Sequence, residues 1–175
     1  MKALFLDRDG VINRSFVDHF GKPRAPRRYK DFTFLPYVKK YIDKIKKHNF
    51  LIFVVTNQPD ISYGYLKKNE LEKMHNKIYS YLPITEIFTC VHGKSYNCKC
   101  RKPKIGLFNK AIKKYKLNIN LSYTIGDRSS DISASLKCNI KSIFIDRNYN
   151  ETKPTGQIFT TKSSRKALEY IIKKQ

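Results

Sequence analysis

Ala3-Leu4-Phe5-Leu6-Asp7-Arg8-Asp9-Gly10 is the stretch on which the reading of this chain turns. The apolar run of residues 3–6 reads as a buried strand, and it ends in two carboxylates one residue apart, followed by glycine. Such a strand carries paired negative charge to one rim of a sheet. Carboxylates crowded in this way repel each other unless a cation or a shared proton offsets them.

Outward from this strand, short apolar runs alternate with helical periods. Residues 14–35 are polar and basic, with Gly21, Pro23 and Pro26 as turn signals, and read as a long loop. Val38, Tyr41, Ile42 and Ile45 recur at helical spacing, and residues 50–55 form a second strand, nearly all β-branched or aromatic. A helix is expected over 66–82, a short strand over 87–91, and a further helix through Leu107, Ala111 and Tyr115. Strands at 122–125 and 141–145 flank a helix at 132–138. An edge strand at 158–160 and an amphipathic helix at 163–174 close the chain. The alternation predicts βαβ units in a doubly wound α/β domain with a parallel sheet, spanning residues 1–175. Ligands of such domains sit at the carboxyl ends of the strands. Asp7, Asp9, Thr56 and Asp127 all fall at those ends.

Composition narrows the class. The chain has 175 residues, 41% hydrophobic and 13% aromatic, enough for one sizeable core. No run approaches the roughly 18 apolar residues of a membrane span. The start of the chain lacks the charged segment and apolar stretch of a secretory signal, so the expected location is the cytoplasm. Lys and Arg number 36 against 14 Asp and Glu, a formal net charge of +22. That field attracts anions, but the basic residues are spread along the whole chain and Lys outweighs Arg. Such a distribution fits a compositional drift toward Lys, Asn and Ile. A nucleic-acid partner is not expected on charge alone, and the expected form is a monomer.

Three further segments carry chemistry. Thr56-Asn57-Gln58 follows the second strand, where a hydroxyl beside backbone N–H groups suits a phosphate oxygen. Asn57 and Gln58 are the adjoining candidates for substrate contact. Tyr123-Thr124-Ile125-Gly126-Asp127 brings a third carboxylate to the same rim. With Asp7 and the backbone carbonyl of Asp9, Asp127 can hold a Mg²⁺ ion that keeps several waters. Asp131 reads instead as an acidic residue complementing the dipole of a helix start. Cys90, His92, Cys98 and Cys100 present three thiols and an imidazole within eleven positions, the ligand set of a closed, structural Zn²⁺ site. Cys138 reads as a core residue. Arg101-Lys102-Pro103-Lys104 follows directly, so a metal-clamped loop would aim its cations. Lys102 suits a point-charge contact to a phosphoryl group and Arg101 a bidentate grip on substrate oxygens, with Lys104 a competitor for the lysine role.

Together, Asp7-Arg8-Asp9-Gly10-Val11-Ile12-Asn13, Thr56-Asn57-Gln58, Cys98-Lys99-Cys100-Arg101-Lys102-Pro103 and Gly126-Asp127-Arg128 resemble the haloacid dehalogenase superfamily of phosphatases. The similarity is to its small capless branch, which holds heptose bisphosphate and histidinol phosphatases. The resemblance implies a three-layer Rossmann-like sandwich without a cap and an aspartyl-phosphate mechanism. In it Asp7 is the nucleophile and Asp9 the proton shuttle. Thr56 and Lys102 hold the phosphoryl oxygens, Arg101 reads the substrate, and Asp7, Asp9 and Asp127 hold Mg²⁺. The implied activity is a phosphomonoesterase on a small phosphorylated metabolite, above all the 7-phosphate of D-glycero-D-manno-heptose 1,7-bisphosphate. Histidinol phosphate and a polynucleotide 3′-phosphate are the alternatives within the class. A zinc-stabilised nucleic-acid-binding module is the non-enzyme alternative, and it leaves the acidic residues unexplained. The sequence departs from the branch at Pro59-Asp60-Ile61, where a small residue and glycine are usual. Its 14–35 segment, which should touch the sugar, is also longer than usual.

Overall fold

The computed structural model describes all 175 residues. In chain order, β1 (Lys2–Leu6) leads through a hairpin of β2 (Phe16–Val17) and β3 (Pro23–Arg24) to α1 (Val38–Lys47). β4 (Phe50–Asn57), α2 (Lys68–Tyr81), β5 (Glu86–Cys90) and α3 (Gly106–Tyr115) follow. The chain closes with β6 (Tyr123–Gly126), α4 (Ser129–Leu136), β7 (Lys141–Ile145), β8 (Phe159–Thr161) and α5 (Ser164–Ile172). Six strands form a sheet in the order β5-β4-β1-β6-β7-β8, every pairing parallel.

Strand alternation divides the core in two. Leu4, Leu6, Ile52, Val54 and Ile125 face one side, where Ile42 and Ile45 of α1, Met74 and Ile78 of α2 and Leu168 of α5 cover them. Ala3, Phe5, Phe53 and Val55 face the other, against Leu107, Phe108 and Ala111 of α3 and Ala134 of α4. Burial on both faces is why these strands read as continuous apolar runs. Phe5 anchors the second layer, its ring 5.4 Å from Phe53 and 5.0 Å from Phe108. Cys138 packs in this layer, just past the end of α4 rather than on it. The result is the expected three-layer α/β sandwich, and no helix is long and apolar enough to cross a membrane.

Two expectations change. The segment 14–35 is not all loop: it holds the β2–β3 hairpin and a helical turn at Tyr29–Asp31. Asp18 pins the hairpin turn by accepting the N–H groups of Phe20 at 3.0 Å and Lys22 at 2.9 Å. Helix α4 begins at Ser129 rather than at 132, because Asp131 Oδ2 accepts the Arg128 N–H at 3.0 Å and caps the first turn.

Candidate active site

The site forms at the end of β1. After β1 the chain moves outward to β4 and β5, then returns to β6 on the opposite side, so β1 ends at the topological switch point of the sheet. Asp7 leaves β1 still in register, its N–H donating to the Ile125 carbonyl at 3.0 Å. Thr56 comes from β4 and Asp127 directly follows β6. Asp7, Thr56 and Asp127 are all buried, as are Lys102 and Asp131.

Lys102 is the hub of this cluster. Its Nζ lies 2.8 Å from Asp7 Oδ1 and 2.7 Å from Asp131 Oδ1, and it also donates to the Val55 carbonyl. Burial works against the ammonium, but Asp131 and Asp7 outweigh it and hold its pKa above the usual lysine range. Carboxylate oxygens of Asp7, Asp127 and Asp131 lie within 4.8 Å of one another, three acids around one lysine. Burial, with Asp131 and Asp9 nearby, pushes the Asp7 carboxyl up to about 6 despite Lys102. Burial and the charges of Asp7 and Asp131 raise that of Asp127 well above the carboxylate range. Such a cluster is short of positive charge.

Its lone pairs show where that charge fits. Both oxygens of Asp131 are engaged, one on Lys102 and one on the Arg128 N–H. Asp127 Oδ2 accepts from the Tyr149 hydroxyl at 2.8 Å, whereas Asp127 Oδ1 is buried with no hydrogen-bond partner. A buried carboxylate oxygen left in this way is costly unless a cation meets it. The all-oxygen donor set suits a hard divalent ion. Glycines make the crowding possible. A Cβ on Gly10, whose φ is +82°, would stand 1.8 Å from Asp127 Oδ2, and one on Gly126 would stand 2.3 Å from Asp131 Cβ.

The Asp9 carboxylate lies outside the three-acid cluster. Arg8, fully buried, donates to it through Nε and Nη2 at 3.0–3.2 Å. Gln58 Nε2 adds a bond at 2.7 Å and Asn13 Nδ2 another at 2.9 Å. These donors fix the orientation of the Asp9 side chain at the cavity edge. Gln58 is fully buried, donates to Thr56 Oγ1 at 2.9 Å and accepts from Arg8 at 2.9 Å. Behind Arg8 stands His75, with Nε2 at 3.4 Å from Nη1. Burial and the Arg8 charge lower the His75 pKa to about 4, so its ring is neutral.

Asn57 faces Lys102 with a reciprocal pair of bonds, Nδ2 to the Lys102 carbonyl and Lys102 N–H to Oδ1, each 3.1 Å. Lys104 is exposed and bonded to Asn97 and the Cys98 carbonyl, so Lys102 is the lysine of the site. Arg101 donates to the His92 carbonyl at 3.1 Å and, with Arg128 and Lys94, lines a cavity of about 330 Å³ beside Lys102. The ligand atoms of Cys90, His92, Cys98 and Cys100 all lie within 4.8 Å of one another. The Cys90 and Cys100 sulfurs are 3.1 Å apart, those of Cys90 and Cys98 3.9 Å, and His92 Nδ1 is 3.2 Å from Cys100 Sγ. Three thiols and an imidazole gathered in this way could hold a metal ion.

A cavity of about 120 Å³ opens above Asp7, Asp9, Asp127 and Lys102, and Ser15, Arg24 and Ala25 of the 14–35 segment line it. The segment thus stands where a substrate would meet it. The sequence gives no role to Arg8, Asn13, His75, Tyr149 or Ser15, and reads Asp131 only as complementing the dipole of a helix start. His75 meets Arg8, and Tyr149 meets Ser15 and Asp127, across long stretches of chain, so no local pattern marks them.

Comparison with known proteins bears on this geometry. A family profile described as polynucleotide kinase 3 phosphatase matches residues 7–161. The D-glycero-alpha-D-manno-heptose-1,7-bisphosphate 7-phosphatase of Campylobacter jejuni subsp. jejuni serotype O:2 is 34% identical over 163 residues, covering 90% of this chain and 88% of that one. The D-glycero-beta-D-manno-heptose-1,7-bisphosphate 7-phosphatase of Helicobacter pylori strain J99 is 32% identical over 148 residues, 80% of each chain. The crystal structure of D,D-heptose 1.7-bisphosphate phosphatase from B. bronchiseptica, complexed with magnesium and phosphate, superposes with a TM-score of 0.86 over the full length of both chains. At 22% identity that likeness speaks to the fold. The profile spans the acidic rim, the cysteine loop and the lysine that joins them, and the relatives align along most of the chain. The chain therefore belongs to the polynucleotide kinase 3 phosphatase family of haloacid dehalogenase-like phosphatases.

Proposed function

We propose that this chain is a Mg²⁺-dependent phosphomonoesterase that removes the 7-phosphate of a D-glycero-D-manno-heptose 1,7-bisphosphate. The observation that carries the chemistry is the buried ammonium of Lys102 on Asp7, beside an Asp127 oxygen with no protein partner. Similarity to the Campylobacter and Helicobacter phosphatases supports the substrate; their names specify opposite anomers, so the anomer is not assigned.

In the proposed reaction an Asp7 oxygen attacks phosphorus, and the bond from phosphorus to the bridging oxygen breaks. Asp9 gives its proton to the departing alkoxide. Water then attacks the aspartyl-phosphate and passes a proton to Asp9, freeing Asp7 and inorganic phosphate. Lys102 and Thr56 meet the phosphoryl oxygens, Asn57 holds Lys102, and Arg8, Gln58 and Asn13 orient Asp9. Arg101 stands ready for the rest of the substrate. Mg²⁺ held by Asp7, Asp127 and the Asp9 carbonyl would neutralise charge on the phosphoryl group. We assign Zn²⁺ to Cys90, His92, Cys98 and Cys100 as a structural ion that fixes the loop leading into Lys102.

A second reading has one observation in its favour. A groove of about 1010 Å³ adjoins the catalytic cavity at Arg24 and Ala25, and its lining includes Arg28, Lys30 and Lys67 together with Phe16, Tyr29 and Tyr65. Cations interleaved with rings suit a strand of nucleic acid bearing a terminal phosphate. Phosphate release from both heptose bisphosphate anomers, histidinol phosphate and a 3′-phosphorylated oligonucleotide separates the readings. Turnover of a heptose bisphosphate at least tenfold above the others supports the first. Preference for the oligonucleotide replaces it with the second.

A further inference from the structure

Asp127 is joined to the rest of the molecule through a single side chain. Tyr149, in the segment between β7 and β8, donates its hydroxyl hydrogen to Asp127 Oδ2 at 2.8 Å. Asp127 Oδ1 is left as the buried oxygen with no partner. Because the carboxylate group is planar, holding one oxygen fixes the direction in which the other points.

The tyrosine is held in turn. Its oxygen pairs with Ser15 Oγ, and because the tyrosine hydrogen is committed to Asp127, the serine is the donor of that pair. Two residues earlier, Arg147 donates to the Gly10 carbonyl at 2.7 and 3.0 Å and to Ser164 Oγ at 2.7 Å. The same segment therefore clamps both the turn that follows the nucleophile and the carboxylate that faces it. Ser15 also lines the catalytic cavity, so the chain of bonds runs from the substrate-facing loop to Asp127.

We propose that Tyr149 is a positioning residue that sets Asp127 Oδ1 toward Mg²⁺, with Ser15 holding the tyrosine in register. The proposal rests on the reading of Asp127 as a magnesium ligand. Partners of this kind fix the orientation and basicity of a metal-binding group, and their loss weakens metal affinity by about 10–100-fold.

The test is a Mg²⁺ titration of the full chain, read by thermal midpoint and by hydrolysis of p-nitrophenyl phosphate, for wild type, Tyr149→Phe and Ser15→Ala. Tyr149→Phe is expected to raise the half-saturating Mg²⁺ concentration about 10–100-fold in both readouts, with turnover recovering toward wild type at saturating metal. Ser15→Ala is expected to shift it in the same direction by less, and serves alone should the tyrosine variant not fold. A Tyr149→Phe midpoint that drops equally at every Mg²⁺ concentration, with half-saturation unchanged, indicates a merely structural tyrosine and overturns the proposal. A wild-type chain that shows no Mg²⁺ response in either readout overturns the metal reading itself, and the proposal with it.

Discussion

Lys102 Nζ lies 2.7 Å from Asp131 Oδ1, and both side chains are buried. One aspartate thereby does two jobs: its other oxygen caps α4 while this one anchors the site lysine. The surrounding charge is unbalanced, three acids to one ammonium, and that asymmetry decides the outcome of substitution. Lys102→Met leaves the acids without a counter-charge and is expected to cost about 3–5 kcal/mol in urea unfolding without metal. Asp131→Asn retains a cap acceptor and relieves repulsion on Asp7 and Asp127, so its cost should stay below about 2 kcal/mol. Equal costs for the two would contradict the charge balance argued here.

Asp7→Asn separates catalysis from stability. Removing the attacking oxygen should lower phosphate release by about 10⁴-fold or more, as when a group acting within a catalytic unit is removed. Folding should not suffer, because a neutral amide escapes the burial penalty, and the lesser repulsion from Asp131 and Asp9, that raise the Asp7 pKa despite Lys102. The thermal midpoint with chelator present is expected to equal or exceed that of wild type. An inactive variant whose midpoint falls several degrees would mean that Asp7 stabilises the fold instead.

His75 gives a pH signature. Its ring is neutral in the fold, with the pKa lowered from 6.5 to about 4 by burial and Arg8. Between these values the unfolded chain binds the proton that the folded chain refuses, so this stability is full above 6.5 and is lost as pH falls toward 4. Wild type should lose about 1–2 kcal/mol of urea stability from this group between pH 7 and pH 5. His75→Asn should remove that part of the slope. An unchanged slope in the variant would show that His75 is protonated alongside Arg8.

Much of this site was legible because its residues stand where periodic patterns end. The run through Leu6 had to be a two-sided strand, and Asp7 is the first residue past its apolar portion; Phe50–Asn57 places Thr56 by the same logic. The cysteine loop was legible because its ligands are close in the chain. What escaped depends on distant partners or on elements too short to have a period. β2 and β3 have two residues each and show no alternation. Arg8 carries no sequence signal of burial, yet it is fully buried under Asp9, Gln58 and His75. Gln58 reads as a rim residue and is instead the brace between Thr56 and Asp9. Asp131 was legible as an acidic residue at a helix start because that role is local; its bond to Lys102 is not.

The cysteine loop ties structure to catalysis through chain connectivity. Cys100 is two residues from Lys102, and Arg101 between them is fastened to the His92 carbonyl. A metal gathering the four ligands therefore fixes the path by which the lysine reaches Asp7. Protein prepared without chelator should contain about one zinc per chain. Stripping it, or Cys98→Ser, should lower the thermal midpoint by about 4–8 °C, taking roughly 2 kcal/mol and the scaling for a chain of this length. The activity consequence is more telling than the midpoint. With the loop loosened but β1 and β6 intact, Mg²⁺ should still protect the protein thermally while turnover falls at least tenfold, because Asp7 and Asp127 remain and only Lys102 is displaced. Zinc-free protein with full turnover would sever the loop from the chemistry, and loss of the Mg²⁺ response together with zinc would show that the two sites do not fold independently.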